Sequence, residues 1–176
     1  MACVVADMIT IRSAHAGDYA RLRSLLISAS LEYHDVLPAG SFAAYLSDLV
    51  AIEQRADIGE ILVAEHDGAL VGTVTFYADA MDDGLDWPAG ASSVRAMAVP
   101  PSARGHGVGA ALLAACIARA EQRGSRQLGL HTAPFMAAAT RMCEAAGFVR
   151  APAHDVDGAV VFSAYTRPVA AAGVAA

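Results

Sequence analysis

Ala103–Leu112 reads ARGHGVGAAL: an arginine, three glycines at alternate positions and the start of an apolar run. The strand-forming run SSVRAMAV precedes it and is stopped by Pro100-Pro101. After it, Val108, Leu112, Leu113, Cys116, Ile117 and Ala120 fall on one helical face. A strand therefore feeds through a glycine-rich turn straight into an amphipathic helix. The first N–H groups of a helix have no partner inside it, and the helix dipole adds about half a positive charge at that end. Glycines let a large anion come close to those groups, and Arg104 can add a charge-assisted contact. The natural guest is a pyrophosphate, carried by a nucleoside triphosphate, a dinucleotide or coenzyme A. The alternative is a helix cap that binds nothing.

Composition removes the first of these carriers. All twelve basic residues are arginines. A Walker-type loop needs a lysine on the phosphates and a pyridoxal phosphate enzyme needs one for its Schiff base, so both are excluded. Gly105–Ala110 formally fits the G-x-G-x-x-G/A dinucleotide pattern, but that pattern wants an acid ~20 residues on, at the end of the next strand. Here the next strand, RQLGLHT, ends without one, and only about a third of the chain remains to build the domain that the pattern normally opens.

Working outward, MITIRSA is a strand candidate, and Leu22, Leu25, Leu26 and Ala29 give GDYARLRSLLISASLEY helical spacing. LPAG breaks that helix, and SFAAYLSDLVAIEQRA resumes one with Ser41 as its N-cap. EILVAEHDGALVGTVTFYA reads as a hairpin around His66-Asp67-Gly68. MDDGLDWPAG is a loop. Gly124 closes the helix that follows the glycine turn. Pro134 suits the first turn of a further helix running to Ala146 and ended by Gly147, and a last strand lies in GAVVFSAYT. The order β-α-α-β-β-β-α-β-α-β is a mixed α/β arrangement with helices on the faces of one sheet.

The chain of 176 residues, 56% hydrophobic, suits one domain spanning residues 1–176, with frayed ends at 1–7 and 168–176. Its net charge of −6 and dispersed arginines leave no footprint for nucleic acid. No apolar run reaches the ~18–20 residues of a membrane span, and the N-terminus lacks a basic signal region, so a cytoplasmic protein is expected. Cys3, Cys116 and Cys143 form no disulfide framework or zinc motif, and no metal is expected.

The segment Val94–Gly124, VRAMAVPPSARGHGVGAALLAACIARAEQRG, resembles the acetyl-CoA site of the GNAT superfamily of N-acetyltransferases. Met97-Ala98-Val99, Pro100 and Arg104-Gly105-His106-Gly107-Val108-Gly109 match in order the family's strand end, proline and Q/R-x-x-G-x-G/A turn. The likeness extends from the first strand to the helix ending in EAAGF. It implies a central mixed, mostly antiparallel sheet of six to seven strands, flanked by about four helices and splayed after the fourth strand. It also implies that the pantetheine arm pairs with Met97, Ala98 and Val99, and that a backbone N–H at Met97 or Ala98 polarises the thioester carbonyl. The N–H groups of Arg104, Gly105, His106, Gly107, Val108, Gly109 and Ala110 would hold the pyrophosphate, with the His106 ring idle.

Many members carry N-x-x-A-x-x-x-Y-x-x-x-G-F in the last helix, with Tyr protonating the departing thiolate. Aligned on Gly147-Phe148, Ala139 matches, Met136 stands at the Asn position and Cys143 at the Tyr position. Cys143 is thus a candidate acid, or a residue that only packs. Glu32, in the cluster Glu32-Tyr33-His34-Asp35, and His131, at the end of the fifth strand, are candidate bases. Asp82, Asp83 and Asp86 could attract a cationic amine or form a solvated loop. Trp87 and Pro88 would wall the acceptor site or cap the core.

The resemblance implies an acetyl-CoA-dependent N-acetyltransferase acting on a primary amine of a small molecule or peptide by direct attack in a ternary complex, with a homodimer as one assembly open to it. A non-catalytic acyl-CoA-binding sensor is the alternative reading. A longer acyl donor or an oxygen acceptor on the same scaffold stands behind both.

Overall fold

The computed structural model describes residues 8–38 and 40–170. Seven strands form one open sheet in the order β1-β2-β3-β4-β5-β7-β6. They are β1 (Thr10–Ser13), β2 (Glu60–His66), β3 (Ala69–Tyr77), β4 (Ala91–Ala98), β5 (Gln127–Thr132), β6 (Val149–Arg150) and β7 (Ser163–Pro168). The one parallel pairing is β4 with β5; the other neighbours are antiparallel. The helices are α1 (Tyr19–Ser30), α2 (Ser41–Leu49), α3 (Ile52–Ile58), α4 (Val108–Arg123) and α5 (Ala137–Ala145). This is the mixed, mostly antiparallel α/β architecture expected. None of these helices is long and apolar enough to cross a membrane.

Period-2 alternation assigns the faces. In β2, Ile61 and Val63 pack with Leu22 and Leu26 of α1, Leu49 of α2 and Ile52 of α3. Leu62 and Ala64, pointing the other way, pack with Val108, Leu112, Leu113 and Cys116 of α4 and Cys143 of α5. Gly72 in β3 is the close-approach point for α4: a Cβ there would lie 2.6 Å from Val108 Cγ1. That contact fixes the N-terminus of α4, and with it the glycine turn, against the sheet. The hairpin turn is as expected, with Asp67 (φ 49°) and Gly68 (φ 76°) both left-handed.

Several expectations need correction. The helix predicted from Ser41 to Ala56 is two helices. Val50 and Ala51 leave helical geometry, Arg55 Nη1 reaches back to Asp48 O at 2.6 Å, and Leu49 and Ile52 both stay buried. Gly40 (φ 82°), not Ser41, is the N-cap of α2. α5 begins at Ala137, so Pro134 precedes its first turn. The last strand lies where expected, in the second half of GAVVFSAYT, and runs on to Pro168; the two-residue β6 was not expected. Residues 168 and 169 are not frayed: Pro168 pairs with Gln127 and Val169 N donates to Arg126 O at 3.1 Å. Residues 1–7 and 171–176, with Cys3, lie outside the described residues.

The splay that positions the site is visible in the register. β4 and β5 pair from Ala91↔Gln127 to Val94↔Leu130, and β4 continues to Ala98 without a β5 partner. On its other edge, Arg95 pairs with Thr75 and Ala98 with Thr73. Ala96 and Met97 therefore face Val74 alone, a β-bulge with Ala96 in the left-handed region (φ 52°). A non-glycine residue there costs about 1–2 kcal/mol. The bulge changes which side chains face where. Val94 and Met97, three apart, pack on the α4 face, whereas Ala96 and Ala98 pack on the α1 face.

Candidate active site

The glycine turn leaves β4 through Pro100, makes one 3-10 turn at Pro101–Ala103, and enters α4 at Val108. Gly105 (φ 81°) and Gly107 (φ 79°) are left-handed, and a Cβ on either would meet nothing within 4 Å. The turn is thus glycine-dependent for its backbone and open on its outer side. The first α4 bond on this stretch is Ala111 N to Gly107 O, 2.9 Å. Among the described residues, the N–H groups of Gly105, His106, Gly107, Val108, Gly109 and Ala110 have no acceptor. Consecutive free N–H groups at a helix start form an anion site. The His106 ring is exposed.

Arg104 departs from its expected role. Its N–H donates to Pro101 O at 3.3 Å, so the free run starts one residue later than expected. Its guanidinium donates to Glu32 Oε2 at 2.9 Å and Oε1 at 2.5 Å, and through Nε to Val99 O at 3.0 Å. This pair ties the segment after α1 to the phosphate turn. It also answers for Glu32: the guanidinium holds the carboxyl below the usual carboxylate range. Glu32 is therefore a weak base, and it lies at the turn end of the slot. His34 pairs with Asp35 on the exposed surface.

Two cavities meet in the splay. The first, about 460 Å³, runs from the turn past Met97, Ala98 and Val99 between α1 and α5. Tyr33, from the segment after α1, contacts Phe135, from the loop before α5, across it, with ring centroids 4.9 Å apart. The second, about 310 Å³, lies on the other side of Met97, with walls that include Asp48, Arg95, Leu130, His131, Cys143, Val156 and Phe162. Tyr45, Leu49, Met97, Met136, Ala139 and Met142 wall both. The sequence-predicted residues thus divide. Met97, Ala98, Val99, Arg104, the glycines, Val108, Ala110 and Glu32 border the first cavity, and Cys143 and His131 the second.

Cys143 is buried, and burial pushes its thiol up to about 11. His131 is held on two sides. Its Nε2–H donates to His154 O at 2.8 Å, and its ring packs on Trp87 at 4.7 Å. A carbonyl can only accept, so Nε2 carries the proton and Nδ1 is the lone-pair nitrogen. Nδ1 has no partner among the described residues, and burial lowers the ring pKa. Asp83 is not part of a solvated loop. It is buried and accepts hydrogen bonds from Trp87 Nε1 (2.9 Å), Leu85 N (2.8 Å) and Ser93 Oγ, while Asp82 and Asp86 are exposed. Its charge is spent on fixing Trp87. Among the described residues no three His, Cys, Asp or Glu side chains group to hold a metal.

Sequence reasoning did not find Tyr45, Asp48 or Arg95. Tyr45 and Leu49, one turn apart, are legible as a shared helix face, but no local pattern says what that face meets.

A family model described as the acetyltransferase (GNAT) family matches residues 21–148. The chain belongs to that family. It is 36% identical over 107 residues to a mycothiol acetyltransferase of Thermobispora bispora, covering 60% of this chain and 36% of that protein. The chain spans about a third of the length of the curated relatives it matches. Among solved structures it is similar to the ribosomal-protein-S18-alanine N-acetyltransferase of Escherichia coli, with TM-score 0.67 and 20% identity over 96% of this chain and 99% of that one. It is also similar to a PaiA N-acetyltransferase of Thermoplasma acidophilum in complex with coenzyme A, with TM-score 0.69 and 13% identity over 89% and 98%. These likenesses carry the fold.

Proposed function

We propose that this chain, as a single domain, is an acetyl-CoA-dependent N-acetyltransferase that acylates a small primary amine by direct attack in a ternary complex. The observation that carries the reading is the run of acceptor-free N–H groups from Gly105 to Ala110, joined by one cavity to the bulge at Met97. The turn would hold the pyrophosphate. The edge of β4 beyond Val94, which has no β5 partner, would pair with the amides of the pantetheine arm. The N–H of Met97 or Ala98 would polarise the thioester carbonyl. A second cavity opening at Met97 favours an enzyme over a binding-only sensor, because it supplies a place for an acceptor. Its walls are mostly apolar, with the Arg95–Asp48 pair (3.2 Å) at one side. They suit an amine on an apolar body.

Positioning of the amine against the thioester supplies most of the rate. His131 Nδ1 would take the proton that the amine loses on attack. Calorimetry with acetyl-CoA, followed by thiol release against a panel of aliphatic and aromatic amines, tests the reading. Micromolar binding with turnover on an apolar amine is expected; binding without turnover on any amine supports the sensor, and no binding removes both.

The role of His131 has its own signature. Burial lowers its pKa from the ordinary 6.5, so the neutral base predominates at pH 7 and is lost as pH falls below 6.5 through the lowered value. The kcat/KM profile of the wild type is expected to show an acid limb below pH 6.5. His131→Gln is expected to lower kcat/KM about 100-fold, in the range for a general base, and to abolish that limb. An unchanged limb in the variant would assign the titration elsewhere.

A further inference from the structure

Of the six residues that wall both cavities, Leu49, Met97, Met136, Ala139 and Met142 carry no exchangeable proton, and Tyr45 carries one. Tyr45 is half-buried, yet among the described residues its hydroxyl has no hydrogen-bond partner. Among the described residues no buried side-chain oxygen lacks a partner, so this oxygen is not sealed in the core, and the residue that carries it lines both cavities. The ring is fixed by an edge contact with Tyr33, 6.1 Å between centroids, and by its place one turn before buried Leu49. Cys143 does not share this position: it borders the acceptor cavity alone and is closed off in the core.

Resting on the function proposed above, we infer that Tyr45 is the residue that meets the leaving sulfur, donating its O–H to the thiolate as the thioester breaks. The amine lone pair forms the C–N bond, and the C–S electron pair departs on sulfur. The proton lost by nitrogen goes to His131 Nδ1, and the thiolate is stabilised by the Tyr45 hydroxyl until solvent protonates it. Burial and the nearby Tyr33, Asp48 and Glu32 raise the phenol's pKa, so the donor stays protonated throughout the working range and adds no limb to the pH profile. The charged groups around it are Asp48, itself paired with Arg95, and Glu32, paired with Arg104. A hydrogen bond to a charged acceptor is stronger than one to a neutral acceptor.

The test needs no knowledge of the acceptor. The thiol of bound coenzyme A is titrated by its ultraviolet thiolate absorbance in wild type, Tyr45→Phe and Tyr19→Phe, Tyr19 lying in α1 and lining neither cavity. Each is referenced to the same protein holding desulfo-coenzyme A, which cancels the protein's own thiols. In wild type and Tyr19→Phe the bound thiol is expected to titrate about one pH unit below its value in Tyr45→Phe, following the loss of one charge-assisted bond. Coenzyme affinity below that titration should change less than about threefold, since neutral hydrogen bonds contribute little net. With an acceptor in hand, kcat of Tyr45→Phe falls about 10- to 100-fold while KM for acetyl-CoA holds. Phe keeps the ring and its contact with Tyr33, and matched thermal unfolding verifies this. If coenzyme A binds and its thiol titrates alike in wild type and Tyr45→Phe, the inference is overturned and the acetyltransferase reading stands. If coenzyme A does not bind the wild type, both fall.

Discussion

Gly107→Val is expected to weaken acetyl-CoA binding by about 100-fold or more while leaving the protein folded. Gly107 is left-handed at φ 79°, where a β-branched residue is a genuine outlier and the backbone penalty alone is about 1–2 kcal/mol. A Cβ at this position meets nothing within 4 Å, so the core feels no clash. The strain is relieved by rotating the turn, and that rotation disperses the N–H groups of Gly105–Ala110. Each lost charge-assisted bond to a phosphate costs about 1.5–3 kcal/mol, so the loss of two such bonds reaches the stated factor. Gly124→Val is the control at the opposite end of α4. It is also left-handed (φ 68°) with nothing within 4 Å of its Cβ, so it carries the same strain without touching the slot. Calorimetry should give a wild-type Kd for Gly124→Val and a much weaker one for Gly107→Val. Equal affinities in the two variants would remove the turn from the coenzyme site.

The glycine turn and the helix it feeds were legible because their signals are local. A β-run, two prolines, alternating glycines and a helical stripe from Val108 to Ala120 lie within one short stretch of chain, and the free N–H groups follow from helix geometry alone. The Asp67-Gly68 hairpin was legible for the same reason. The bulge at Ala96 was not: nothing in RAMAV requires a left-handed alanine. It is imposed by the sheet, where Arg95 and Ala98 keep their β3 partners across a one-residue mismatch. The break between α2 and α3 was hidden because the apolar spacing continues through Val50, and the groups that stabilise it, Arg55 and Asp48 O, meet only in the fold.

The second cavity was illegible for a related reason. Tyr45 comes from α2, Arg95 from β4, His131 from β5, and Val156 and Phe162 from the segment before β7. No two of these elements are neighbours in sequence. Acidity misled in the same region. Asp82, Asp83 and Asp86 look alike in MDDGLDWPAG, yet a short 3-10 turn buries Asp83 and leaves the other two in solvent. Glu32 and Arg104, read separately as base and phosphate ligand, neutralise each other across 72 positions of chain.

Gly129→Val is expected to destabilise the fold by about 3 kcal/mol or more and to dismantle the acceptor wall first. A Cβ on Gly129 would lie 2.6 to 2.9 Å from three carbons of the Trp87 ring. Neither side can yield. Gly129 sits between Ser93 of β4 and Thr166 of β7, locked in the sheet on both edges. Trp87 is 4% exposed, bonded through Nε1 to buried Asp83 and packed on His131 and His154. Overpacking costs about 1–3 kcal/mol, and expelling the indole approaches the ~3–5 kcal/mol of a tryptophan deletion. Trp87 is the chain's one tryptophan, so its fluorescence reports the displacement directly. Urea denaturation should give a lowered midpoint, with a red-shifted native emission. Coenzyme binding to the folded fraction should be retained, because Trp87 clusters with Ala80, Ala91 and Ala164 and not with residues of the phosphate turn. A blue, wild-type emission with an unchanged midpoint would mean that the indole has room it does not show here. Retained coenzyme affinity would separate the two proposed halves: the first cavity is built on β4 and α4, Trp87 supports the second through His131, and Met97 walls both.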